Sequence, residues 1–108
     1  MASDDEFRGG FDSLDAAFDA VARSFTEDAS EEQLKLGWRS VDIIEARIGF
    51  DDKDAAEIFR VFHKQLSEFV GDVRRGVPSP YTGFRGTLVT LQERMGPRVG
   101  IDGWPKKR

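Results

Sequence analysis

Apolar residues recur along this chain at intervals of three and four, the period of a helix that buries one face. Phe11, Leu14, Phe18, Val21 and Phe25 form the first stripe. Asp12, Asp15 and Asp19 fall on the other face and near the positive end of the helix dipole, where carboxylates are stabilising. Asp12 or Ser13 suits the cap, and Thr26 to Ala29 breaks the pattern. A second helix starts at Ser30-Glu31-Glu32-Gln33, a capping box in which Ser30 accepts from the Gln33 backbone and Gln33 reaches back. Leu34, Trp38, Val41, Ile44 and Ile48 continue it, and Gly49 is expected as a left-handed stop. Gly37 inside this helix costs about 1 kcal/mol relative to Ala, which predicts close packing beside Trp38.

Asp51 or Asp52 suits the cap of a third helix, whose stripe is the most regular: Ala55, Ile58, Phe59, Phe62, Leu66, Phe69, Val70 and Val73. It runs about six turns to Arg75, stops at Gly76, and leads into the extended Val77-Pro78-Ser79-Pro80 connection. Phe84, Leu88, Leu91 and Met95 predict a fourth helix ending at Gly96-Pro97. Gly83, Gly86 and the run Thr87-Leu88-Val89-Thr90 fit a strand as well, so residues 81–96 carry both readings. The expected fold is all-α: a small bundle of three to four helices built on a central antiparallel hairpin of helices two and three, with an irregular C-terminal tail. It forms one domain over residues 1–108, with a flexible acidic N-terminus (1–10), a helical core (11–96) and a basic tail (97–108). In that tail Val99, Ile101 and Trp104 pack onto the bundle or onto something else. A cut before Gly96 is expected to spare folding.

Composition changes the picture in one respect. With 39% hydrophobic and 33% charged residues the chain has a lean core, which nine Phe and two Trp partly offset. A domain of 108 residues buries only about two-thirds of its unfolded surface, so self-association is an expected supplement. The absence of cysteine excludes disulfides, thiolate nucleophiles and thiolate metal sites, and suits a cytoplasmic setting. The acidic Met1–Gly10 stretch is unlike a signal peptide, and no apolar run approaches the ~20 residues a bilayer requires, so no membrane contact is expected.

Catalytic chemistry finds little support. His63 is the only histidine; no Gly-x-Ser-x-Gly elbow accompanies it, and it falls at the edge of the third stripe beside Phe59, Phe62 and Leu66. One histidine cannot supply the two Glu-x-x-His pairs of a di-iron bundle. The acidic turn at Asp51 lacks the central glycine and terminal glutamate of a calcium loop, and Gly83-Phe84-Arg85-Gly86 lacks the Lys-Ser/Thr ending of a phosphate loop. No catalytic residue, metal or cofactor is expected.

Charge is segregated. Residues 1–57 carry 6 Lys/Arg and 16 Asp/Glu, a net −10, while residues 58–108 carry 10 and 4, a net +6, giving −4 overall. Acidic and basic parts either face each other within the fold, or the basic end meets another protein, or it meets nucleic acid. Arg74, Arg75, Arg85, Arg94, Arg98, Trp104, Lys106, Lys107 and Arg108 are the expected partner-binding residues. The leading expectation is a non-catalytic helical interaction module, binding another protein or copies of itself. The alternative is an accessory subunit of a nucleic-acid-handling complex, with Tyr81, Phe84 and Trp104 as stacking groups.

Overall fold

The computed structural model describes residues 10–49, 51–101 and 103–105. Their fold is all-α, with four helices: α1 (Leu14–Ser24), α2 (Glu31–Ala46), α3 (Lys53–Arg74) and α4 (Phe84–Met95), followed by a 3-10 turn (Gly96–Arg98). The caps follow local chemistry. Ser13 Oγ accepts from Ala16 N–H at 3.2 Å and starts α1. Both bonds of the Ser30/Gln33 capping box are present at the start of α2. Asp52 Oδ1 accepts from Ala55 N–H at 3.0 Å and starts α3.

Gly76 (φ 71°) ends α3 in a Schellman arrangement, with Val77 N–H donating to Asp72 C=O and Gly76 N–H to Val73 C=O. Gly49 behaves differently from the expected left-handed stop, because positive φ among the described residues belongs to Gly10, Gly76 and Gly103 alone. Instead α2 tightens into three-residue turns, Arg47 N–H to Ile44 C=O and Ile48 N–H to Glu45 C=O. What Gly49 supplies is room: a Cβ there would lie 2.9 Å from an Arg98 guanidinium nitrogen.

Residues 84–95 are helix, which decides the helix-or-strand ambiguity. Phe84, Leu88, Leu91 and Met95 are all buried on one face, and the threonine hydroxyls that favour a strand bond back into the helix, Thr87 to Gly83 C=O and Thr90 to Gly86 C=O. Backbones approach most closely within two pairs, α1 with α2 and α3 with α4. Gly37 makes the first approach close, since a Cβ there would sit 2.5 Å from the Phe25 ring. The residue Gly37 accommodates is therefore Phe25 rather than its neighbour Trp38. The two pairs join through rings: Phe84 lies 5.0 Å from Phe69, 6.5 Å from Phe62 and 6.4 Å from Phe25. α2 and α3, linked by the short turn at residues 47–52, meet through side chains, with the Trp38 and His63 rings 5.5 Å apart.

The chain after α4 closes onto the bundle. Val99 and Pro105 form an antiparallel bridge, and Gly103 turns between them with φ 81°. Gly103 C=O accepts from Leu14 N–H at 2.9 Å, satisfying an orphan donor in the first turn of α1. Trp104 is 1% exposed, and its indole N–H donates to Asp12 C=O at 2.9 Å. Of the two fates open to Trp104, this is packing on the bundle. A cut before Gly96 removes a core residue, so the expectation that it spares folding is withdrawn.

Candidate docking groove

The basic residues of the last third do not form one surface. Arg74 pairs with Glu31 of α2 at 3.4 Å, and Arg75 with Asp72 at 2.7 Å. Arg85 donates to Phe25 C=O at 3.0 Å while its guanidinium lies 5.2 Å from the Phe84 ring centre. Arg94 and Arg98 converge on the turn before α3: Arg94 reaches Asp52 at 3.2 Å and Asp54 at 3.5 Å, and Arg98 reaches Asp51 at 3.4 Å and Asp52 at 3.5 Å. Lys106, Lys107 and Arg108 lie outside the described residues. Within the described fold Arg74, Arg94 and Arg98 thus face acidic residues from the first half of the chain, while Arg75 pairs within its own half. Trp104, expected as an aromatic anchor for a partner, has no free ring face to offer.

Asp52 is the most deeply placed ionisable group in that cluster, 2% exposed. Its carboxyl is held below the usual carboxylate range, chiefly by the Ala55 backbone N–H and then by Arg94 and Arg98, which together outweigh the opposing effect of burial. The cluster ties the end of α4 to the start of α3, and every partner in it is internal. Its chemistry is structural.

The open feature lies beside this cluster, at the same junction. Where α2 ends and α3 begins, Gly49 carries no side chain and Ala56 a short one, and among the described residues no side chain fills the space between the helices. The result is a groove of about 640 Å³ lined by Glu45, Ile48, Gly49, Ala56, Phe59, Arg60, His63 and Lys64. Its floor is apolar, from Ile48, Ala56 and Phe59. Along α3 the rim is cationic, with Arg60 and Lys64 one turn apart, and Glu45 stands on the α2 side. Among the described residues Arg60 makes only an exposed pair with Glu57 at 3.3 Å, a contact of at most about 1 kcal/mol that a partner carboxylate can replace. His63 sits between the Trp38 ring (5.5 Å) and the Phe59 ring (6.1 Å), so half-buried Trp38 continues the groove's aromatic wall.

Sequence spacing identifies Ile48, Phe59 and Trp38 only as stripe residues. The groove depends on how far two helices splay, which no stripe encodes. The signal that was present is two small residues, Gly49 and Ala56, facing each other across a turn. Among the described residues no group of three or more His, Asp or Glu is arranged to hold a metal ion, and no helix is long and apolar enough to cross a membrane. Comparison with family models, with curated proteins and with solved structures gives no match.

Proposed function

We propose that this chain is a non-catalytic interaction module that captures another protein through the α2–α3 groove. The observation that carries this reading is the apolar floor of Ile48, Ala56 and Phe59, open to solvent beside Trp38 and edged by Arg60 and Lys64. Water held against such a floor is released when an apolar side chain replaces it. The partner chemistry that fits is a segment with an apolar anchor for the floor and a carboxylate for the α3 rim. Aromatic anchors in pockets edged by charge are the usual centres of binding energy.

The nucleic-acid reading gains less support. Phosphate binding needs cations presented together, whereas Arg74, Arg94 and Arg98 are each aimed at carboxylates elsewhere in the chain. Trp104 and Phe84, two of the three expected stacking groups, are buried. The catalytic reading gains nothing from His63, which has the Trp38 and Phe59 rings beside it at 5.5 and 6.1 Å.

Ala56→Trp tests the proposal. Ala56 is exposed, so a large ring there fills the groove without entering the core. Partner proteins crosslinked to the wild-type chain in its own cells are expected to fall by at least about tenfold, a loss of ~1.4 kcal/mol of binding, with the unfolding midpoint unchanged. Undiminished capture would refute the groove as the contact surface.

A further inference from the structure

The outer face of α3 and α4 carries a second surface, built from residues that the groove does not use. Val61 is 44% exposed and Val89 53% exposed, and between the two helices runs a recess of about 520 Å³ lined by Glu57, Ile58, Val61, Gly83, Gly86, Thr87 and Thr90. Gly86 is the informative residue. Gly37 is accounted for inside the molecule, since a Cβ there would strike Phe25, but a Cβ on Gly86 would meet nothing within 4 Å. A helical glycine carries a local cost, and here no internal packing returns it. The open space at Gly86 leaves room for a neighbouring backbone to approach α4 closely.

We infer that this face binds a second copy of the same chain, with the two α4 helices crossing antiparallel about a two-fold axis near Val89. A two-fold interface must be self-complementary, each residue meeting its counterpart's neighbours. This face meets that condition, because an exposed knob, Val89, stands beside a recess floored by Gly86 and Thr90. Charge agrees with it as well. Arg85 and Glu93 lie eight residues apart on α4, about 12 Å, with Val89 midway. The antiparallel crossing therefore sets Arg85 of each copy against Glu93 of the other. Glu93 has no ion-pair partner among the described residues, whereas Arg85 is steadied at one nitrogen by Phe25 C=O. The central positions Gly86, Val89 and Thr90 are uncharged, so two copies each bearing −4 meet where repulsion is least.

The available area sets the strength. Twelve residues of α4 span about 18 Å, and two helices side by side present about 20 Å of width. That footprint falls well short of the ~800 Å² per partner of a standard interface. The dimer is weak and reversible, in keeping with a footprint at the low end of interface sizes.

Sedimentation of the full chain across a concentration range, read beside thermal unfolding, tests this. The wild type is expected to pass reversibly from monomer to dimer. Val89→Glu should weaken association by at least about tenfold, and Glu93→Arg, which opposes like charges across the axis, by about threefold at low salt. Gly86→Ala should move the two readouts in opposite directions, weakening the dimer while raising the unfolding midpoint by about 2–4 °C through better helix propensity. Ala56→Trp should leave the dimer intact, which separates this face from the groove. A strict monomer at about 1 mM overturns the inference, as does a dimer that Val89→Glu and Gly86→Ala both leave unchanged. Loss of the dimer in Ala56→Trp instead would place the second copy in the groove and overturn it too.

Discussion

The tail after α4 and the turn between α2 and α3 both lie near the start of α3, yet sequence and structure assign them opposite characters. The tail after α4 is rich in glycine, proline and cations, yet it closes on the start of α1 through Trp104 and Gly103. The turn between α2 and α3 joins two regular stripes, yet it leaves Phe59, Ile48 and Ala56 under an open groove. Irregular backbone becomes ordered where an aromatic ring and a few backbone donors find partners. Regular helices leave space where the described residues that line their junction, Gly49 and Ala56, are small. Regularity of backbone is therefore a poor guide to which surface is free.

This comparison breaks first at Trp104. Trp104→Ala removes a fully buried indole and the bond to Asp12, so a loss of about 3–5 kcal/mol is expected, measured by denaturant unfolding; a loss under ~1 kcal/mol would show the tail to be a loose end after all. Asp52→Ala removes the cap of α3 and leaves Arg94 and Arg98 without their shared acceptor, for an expected loss of about 2–3 kcal/mol. The sign of its pH dependence follows from its lowered pKa. A carboxyl that ionises more readily when folded stabilises the fold above its unfolded pKa, near 4, and loses that contribution as pH falls through the folded value. Wild type and Asp52→Asn should therefore converge in stability on acidification. A gap that persists unchanged to about pH 2 would remove ionised Asp52 from the account.

Smaller effects follow at the packing between α1 and α2 and at the groove rim. Gly37→Ala drives a methyl group into the Phe25 ring and is expected to cost about 1–3 kcal/mol, checked by thermal unfolding. Arg60→Glu and Lys64→Glu, both exposed, should change stability by no more than about 0.5 kcal/mol. Together they should slow partner association, with the rate losing its salt dependence; an unaltered rate would detach the α3 rim from binding.

Much of the architecture was legible beforehand. Ser13, Ser30 and Asp52 cap helices as their residue types suggest, because capping is settled within four residues of sequence. The stripes mark most of the core for the same reason: helical period needs only near neighbours. What escaped depends on contacts between distant segments. Gly49 looks like a left-handed stop by position, but its φ is not positive, and the space beside it is shared by Asp51 and by Arg98, about 50 residues away in the chain. The segregated charge was visible, whereas its destination was not. Arg94 and Arg98 reach Asp51 and Asp52 only because the end of α4 lies against the start of α3. Trp104 next to a cationic run has the composition of a docking peptide, and contacts with the distant start of α1, among them the bond to Asp12 C=O, make it a clasp.

The most direct test places a photo-crosslinking residue at Ala56 in the groove or at Ile101 beside the basic end, both exposed, and irradiates the cells that make the protein. Specific protein adducts from position 56, and none from position 101, are the result expected. Adducts from position 101 with none from position 56 would contradict the account and return the partner surface to the basic end of the chain.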